Sequence, residues 1–504
     1  MNSKTYPIKL NRVTLPTFAS NVIIPKYDRS QLRQHAVHIG VGGFHRAHQA
    51  VYLDDLLGLP DSERWGECGL GVLPSDDRMR DALRGQDHLF TVVERSASVQ
   101  TARVIGSMVD YIYAPEDREA AIEKLASPET RIVSLTITEG GYFIDEATGD
   151  FLFNHPDIQH DLQHRHDPVT SIGLIAEALN RRRIRGTPPF TVMSCDNLQG
   201  NGHIIRRVML AFTGVNRPEL TRWIADHVTF PNSMVDRITP ATTPADITYI
   251  AERFGIADAW PVVTEPFRQW VIEDKFCNGR PQWESFGAQF TNDVASYEIM
   301  KMRLLNGSHL AMGYLGAING FTLVHDVMAD PIFIAFIEAF MDEVTPVVPI
   351  ISGVSIPDYK ASLMERFANP TINDQVTRIC SEGSAKLPKW LLPSIEELLD
   401  RGCTITLLSF VVASWIHYLG LDLDERGSPL VIVDACRIEL SSIAKSARSD
   451  SPGILGINTI FSTKVSSEPR FVTAVGHALS AIRSLGSREA MRIFLGQPNQ
   501  TGSV

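Results

Sequence analysis

Apolar positions follow two rhythms along this chain. In the N-terminal part they form short runs that stop at glycines and polar residues. Ala36-Val37-His38-Ile39 runs into Gly40-Val41-Gly42-Gly43-Phe44-His45-Arg46, and Gly69 to Leu73 ends in Pro74-Ser75-Asp76-Asp77-Arg78. Arg131 to Thr138 ends in Glu139-Gly140-Gly141, and Phe190 to Ser194 ends in Cys195-Asp196-Asn197. Helical patterns separate these runs; the first places Ala47, Ala50, Val51, Leu53 and Leu57 on its apolar side. Apolar strands alternating with helices predict a buried parallel sheet, and ligands bind outside the carboxyl ends of such strands. Residues 1 to 35, with Pro7, Pro16 and Pro25, read as an irregular lead-in. Around Gly287 to Asn292 the rhythm changes to a helical one, so the expected division is 1–292 and 293–504. The fold class is therefore α/β: an N-terminal Rossmann-type domain followed by a mostly α-helical domain.

Within the helical part, Asp330-Pro331 predicts a cap and first turn opening an apolar helix through Met341. Pro393-Ser394 with Glu397 has the spacing of a capping box. Thr404 to Leu421 is the most apolar run, but Ser409, Ser414 and His417 interrupt it and it is short for a membrane span. It reads as a buried core helix.

The stretch with most chemistry is Tyr297 to Gly313. On a helical wheel with Lys301 at the origin, Glu298 lies at about 60°, His309 at about 80° and Asn306 at about 140°. Met300, Leu304, Ala311 and Leu315 fall on the opposite side. A desolvated lysine can lose its proton near neutral pH and act as a general base. An amide and an imidazole beside it can hydrogen-bond an oxygen on which charge develops. The same pattern also fits an ordinary amphipathic helix with a solvated polar face.

Composition narrows the field. The chain has 504 residues, 44% of them hydrophobic, which suffices for more than one domain. Its net charge of −11 disfavours a nucleic-acid partner. The six cysteines form no C-x-x-C pair and stand at no zinc-ligand spacing with histidine, so they read as reduced, buried thiols and no metal site is expected. Met1 to Leu10 contains no apolar signal core, and the expected location is the cytoplasm, with no membrane contact.

Strand, glycine turn and helix at 36–57 form the context a dinucleotide loop requires, because bare backbone can approach a pyrophosphate. His45 stands where G-x-G-x-x-G has its third glycine, so a plain tight turn is equally compatible. Asp76 and Asp77 end the second strand, where carboxylates bind ribose hydroxyls and repel the extra phosphate of NADP. They stand further from the glycines than the usual ~20 residues, and Ser75 with Asp76 can also be a helix cap. Glu139, Gly140 and Asn197 end their strands in the same way; Asn197 is an active-site amide or a helix cap. Phe230 to Pro240 and Val263 to Phe267 read as loops near a cleft. Arg378 to Lys389 concentrates cations beside glycine and proline, either to hold the oxygens of a polar substrate or as a solvated loop.

Six ordered motifs resemble one family. They are Gly-Val-Gly-Gly-Phe-His-Arg-Ala-His at 40–48, Thr-Ile-Thr-Glu-Gly-Gly-Tyr at 136–142 and Met-Ser-Cys-Asp-Asn at 193–197. Met-Val-Asp-Arg-Ile-Thr-Pro at 234–240, Glu-Pro-Phe-Arg-Gln-Trp-Val-Ile-Glu-Asp at 265–274 and Leu-Leu-Asn-Gly-Ser-His at 304–309 complete the set. From about residue 36 to about 490 the chain resembles the long-chain, metal-independent polyol dehydrogenases of the mannitol 2-dehydrogenase family. The resemblance implies a Rossmann-type domain, a helical domain, a cleft between them, and metal-free hydride transfer between a secondary alcohol and NAD. It implies that Gly40, Gly42, Gly43, Phe44 and His45 belong to the cofactor turn in the family's own form. Lys301 corresponds to the general base, Asn197 and Asn306 to amides on the reacting oxygen, and His309 to a substrate-orienting group. Glu298 corresponds to a carboxylate that passes protons between Lys301 and solvent; Asp236, Arg378 and Lys386 match substrate contacts.

The leading expectation is interconversion of D-mannitol and D-fructose with NAD, by a monomer. Family members also act on D-arabinitol and other polyols, or reduce fructuronate to D-mannonate. Fructuronate needs a cation for its carboxylate, which Arg378, Lys386 or Lys389 can supply. A nucleotide-binding sensor without turnover is the alternative of another class; retention of Lys301, Asn197, Asn306 and His309 argues against it.

Overall fold

The computed structural model describes residues 6–59, 65–97, 100–145, 148–446 and 453–496; the polar tail after Gln497 lies outside them. Backbone contacts divide the chain into two units, Met1–Ala295 and Ser296–Val504.

Unit 1 is built on five parallel strands. They are β1 (Arg33–Ile39), β2 (Trp65–Gly71), β3 (Met108–Tyr113), β4 (Ile132–Leu135) and β5 (Thr191–Ser194). Their spatial order is β3-β2-β1-β4-β5, with the direction of winding reversing between β1 and β4. Helices on both faces explain why the strands are apolar throughout: Val37, Ile39, Leu70, Val133, Leu135 and Val192 are buried in one core. The reversal leaves a crevice at the carboxyl ends of β1 and β4, the place where such sheets bind ligands.

The observed strands stop short of the apolar runs that predict them. Val72 and Leu73 leave the ladder because their N–H groups donate to the Asp76 carboxylate, at 2.8 and 2.9 Å. Ile137 and Thr138 leave it because theirs donate to Asp196, at 3.0 and 2.9 Å. A polar residue further along the chain thus ends each strand early.

The helix after the glycine turn is two helices, α1 (Gly43–Ala47) and α2 (Gln49–Leu57). The break falls at His48, with φ −119° and ψ −85°, and its Nε2 reaches the carbonyl of Gln269 at 2.9 Å. The stretches read as loops at 230–240 and 263–267 each include strand residues. Ser233–Asp236 (β6) pairs antiparallel with Gln269–Glu273 (β7), which pairs in parallel with Gln289–Thr291 (β8). Val262–Thr264 pairs with Phe90–Arg95. Ser233–Asp236 and Val262–Thr264 are four and three residues long and are bounded by polar residues and prolines, which gave them the appearance of connections.

Among the described residues unit 2 has helices and no strand. An α-helix, α3 (Val294–Lys301), passes into a π-helical turn, Met302–Asn306, and then into α4 (Gly307–Ile318). α5 (Pro331–Val344) starts as expected, the Asp330 carboxylate accepting from the N–H of Ile332 at 3.1 Å. α6 (Val376–Cys380) and α7 (Gly383–Trp390) occupy the cationic segment, which is helical rather than a loop and carries Pro388 inside α7. α8 (Leu392–Asp400) begins earlier than a capping box at Ser394 requires; Ser394 is buried in its first turn and makes no cap. α9 (Thr406–Leu419) is the buried core helix, packed against α4 and α10 (Pro469–Leu485). No described helix is long and apolar enough to cross a membrane. The cysteines are unpaired, but Cys436 is exposed and Cys277 and Cys403 are half-buried, so only three of the six are buried.

Candidate active site

Each unit carries its own cluster of the expected residues. In unit 1 a cavity of about 250 Å³ opens at the carboxyl ends of β1, β2 and β4. Gly40, Gly42, Asp76, Thr136 and Thr138 are among the residues on its wall. Gly40 has φ +89°, and a Cβ there would lie 2.1 Å from the carbonyl oxygen of Thr136, so only glycine fits. Gly42 precedes α1 and Gly43 begins it. Phe44 is half-buried, its ring stacked on His48.

His45 is fully buried and is not among the residues that line the cavity. Its Nε2 meets the Glu67 carboxylate at 3.0 Å, and its ring stacks on His38 with centroids 3.5 Å apart. His38 bonds the hydroxyls of Ser134 and Thr136, both at 2.8 Å, and Thr136 Oγ1 donates to the Gly40 carbonyl at 2.7 Å. Burial pushes His45 down to about 3 and Glu67 up to about 7. The side chain that replaces the third glycine therefore joins an internal polar stack that braces the first one. His38, His45 and Glu67 lie near enough to share an ion. Both His38 nitrogens are already engaged with hydroxyls, which favours the hydrogen-bonded stack.

Asp76 unites the two sequence readings. One carboxylate oxygen caps its own turn, and the residue borders the cavity. Asp77 is exposed and absent from the wall, its carboxylate accepting from the N–H of Arg78 at 2.6 Å. Glu139 and Gly140 are exposed in a single 3₁₀ turn, Glu139–Tyr142, beside the wall residues Thr138 and Gly141.

Sequence reasoning passed over Asp196. It is buried after β5 and accepts from Ile137 N–H, Thr138 N–H and, at 2.6 Å, the Tyr142 hydroxyl. Its presence inside Met-Ser-Cys-Asp-Asn was the available signal. Asn197, next in the chain, is exposed. Asp236 is buried at the end of β6, opposite Gln269. Its neighbour Arg237 is buried as well, donating to Glu94 at 2.5 Å and to the carbonyls of Glu265 and Ala47.

In unit 2, Glu298, Lys301, Asn306 and His309 are all buried. The π-helical turn corrects the wheel. A π turn adds about one residue to the helical repeat, so residues beyond it rotate back by about 100°. His309 then falls within about 20° of Lys301 instead of about 80° away. Asn306 lies at the end of the turn and its Nδ2 approaches Met302 Sδ at 3.1 Å. The His309 ring packs on Phe367, centroids 5.1 Å apart. α6 packs on α4, and α7 on the π turn, which brings the cationic segment to the same helix. Arg378 there is held by both oxygens of Asp374, at 2.6 and 2.5 Å. Lys386 donates to the carbonyls of Arg378 and Ile379 and to Ser381 Oγ, at 3.3, 3.4 and 3.3 Å. Burial, and then the charge of Arg378, lower Lys386 to about 8.

Comparison with known proteins fits this architecture. Residues 34–285 match the mannitol dehydrogenase Rossmann domain and residues 293–483 the mannitol dehydrogenase C-terminal domain. A mannitol 2-dehydrogenase of Aspergillus fumigatus is 47% identical over 500 residues, 97% of this chain and 99% of the relative. A protein of Saccharomyces cerevisiae named mannitol dehydrogenase 2 is 44% identical over 499 residues, 98% of this chain and 99% of its own. The solved structure of Pseudomonas fluorescens mannitol 2-dehydrogenase, a ternary complex with NAD and D-mannitol, has a TM-score of 0.87 and 46% identity; the match covers 97% of this chain and all of that one. A D-sorbitol dehydrogenase in substrate-free form has a TM-score of 0.88 and 34% identity, over 96% of this chain and all of that one.

Proposed function

This chain belongs to the mannitol dehydrogenase family, and from that membership we propose that it interconverts D-mannitol and D-fructose with NAD, without a metal and with Lys301 as general base and acid. The observation that carries the reading is the buried Lys301, Asn306 and His309 on one helix, in a chain 46% identical to a protein solved with NAD and D-mannitol.

In this reading the dinucleotide occupies the cavity of unit 1. At Gly42, which lines it, a Cβ would meet nothing in the chain closer than 3.9 Å, so bare backbone faces the cavity, and Asp76 stands on the wall as an acceptor for a ribose hydroxyl. Gly42, Gly43, Phe44 and His45 shape the turn, with Glu139 and Gly140 beside it. When bound, NAD accepts the hydride that leaves the alcohol carbon.

The chain's own groups manage the proton and the oxygen. Neutral Lys301 takes the hydroxyl proton as the carbon is oxidised and returns it in the reverse direction. Asn306 donates a hydrogen bond to the oxygen as it acquires alkoxide character, and Asn197 has the same role. His309 orients the substrate, and Glu298 relays the proton from Lys301 towards solvent. Asp236, Arg378 and Lys386 hold the remaining hydroxyls. A neutral polyol suits Arg378 as it stands, because Asp374 already balances its charge.

NADH oxidation with D-fructose and with D-fructuronate, side by side and with EDTA present, tests the proposal. Faster turnover of fructose, undiminished by EDTA, is expected. Faster turnover of fructuronate would make the chain a hexuronate reductase and Arg378 a carboxylate clamp; activity lost to EDTA would end the metal-free mechanism.

A further inference from the structure

We propose that Asp196 is a positioning residue for the cofactor: its buried carboxylate holds the Thr138–Phe143 loop in a strained shape against the cavity. The inference rests on the reading of that cavity as the NAD site.

The strain is in the backbone. Thr138 has φ +59° and ψ 171°, a region open to glycine and costly for a β-branched residue. Phe143, at the other end of the loop, has φ +52°. Of the six non-glycine residues with positive φ among those described, these two border one cavity. Such a conformation persists only where its surroundings enforce it. Asp196 is placed to do so. Its two oxygens receive the consecutive N–H groups of Ile137 and Thr138 and the hydroxyl of Tyr142, so one side chain grips both ends of the 3₁₀ turn. Ser194 fixes Tyr142 from the other side. Asp196 itself is fixed, its carbonyl accepting from Asn201 Nδ2 at 3.0 Å. Thr136, Ile137, Thr138, Gly141 and Phe143 all line the cavity, so loosening the grip changes the wall a nucleotide meets. Asp196 is itself absent from the lining, so its effect passes through the loop.

The test is fluorescence titration of NADH into the full-length chain and three variants, together with KM for NAD and kcat. D196N keeps the shape but turns an NH₂ group toward the N–H donors. It is expected to weaken NADH binding about tenfold, in keeping with loss of a hydrogen bond to a charged group, and to raise KM for NAD more than it lowers kcat. Adding T138G removes the strain, so D196N/T138G is expected to recover to within about threefold of wild type. A purely structural role would lower thermal stability in D196N without this recovery. Wild-type affinity in folded D196N, or a loss that T138G leaves in place, overturns the inference. Should D196N not fold, Y142F carries the test: about threefold weaker binding supports the grip, and unchanged binding overturns it. A wild-type chain that binds no NADH overturns the cavity reading itself and the inference with it.

Discussion

Lys301, Asn306 and His309 are all buried along one continuous helical stretch, and the amine is the group on which the proposed proton transfer turns. Lys301→Ala is expected to cut turnover by at least ~10²-fold, the low end for losing a general base, and to spare NADH affinity. Steady-state kinetics paired with NADH titration checks both; near-normal turnover would remove Lys301 from its role. A helical period suggested that these residues lie on one arc, although the same pattern fits an ordinary amphipathic helix. Asp196 was not legible, because its role depends on Ile137, Thr138 and Tyr142, some fifty or more residues away in the chain. The two adjacent carboxylates could not be told apart from their order alone, whereas the fold puts Asp76 on the wall and Asp77 in solvent.

Whole strands and helices were easier to foresee than their ends. The parallel sheet followed from runs that are apolar on both faces, but the carboxylates of Asp76 and Asp196 decide where the runs stop being strand. Likewise nothing in the composition of Met302–Asn306 announces a π turn, and its effect is to bring His309 round towards Lys301. The stack that joins β1, β2, α1 and β4 offers a prediction of its own. Folding keeps the Glu67 proton up to about 7, whereas the unfolded chain releases it near the ordinary glutamate value. Its contribution to stability is complete below that ordinary value and is lost as pH rises through 7. His45 works in the opposite sense: held down to about 3, it contributes above the ordinary histidine value and loses this as pH falls. Glu67→Gln removes only the first effect. The melting temperature of the variant minus that of wild type should therefore rise between about pH 5 and about pH 8. A flat difference in differential scanning fluorimetry would mean that Glu67 is ionised throughout.

On the scale of the whole chain, the two-part organisation was readable from the change of hydrophobic rhythm, and the backbone contacts change over at Ala295/Ser296. The family could be recognised from six separated motifs, and the two domain matches span most of the chain. The cationic segment misled, because glycine and proline resemble a loop on paper. Here Glu382, at φ +52°, separates α6 from α7, and Pro388 is accommodated within α7. Among the described residues, four of the six non-glycine residues with positive φ, Thr138, Phe143, Asn373 and Glu382, lie at or beside the proposed functional segments, as stored strain often does.

The Asp374 clasp on Arg378 has a consequence for ionic strength. A cation that arrives with its own counter-ion projects little field, and the chain as a whole is acidic, with a net charge of −11. Dissolved salt has little left to screen when the incoming sugar is neutral. The KM for D-fructose should stay within about twofold from about 0.05 M to about 0.5 M sodium chloride, a span over which the Debye length shrinks severalfold. An anionic sugar acid drawn in by a bare guanidinium would instead bind less well as salt is added, and a KM series in sodium chloride separates the two.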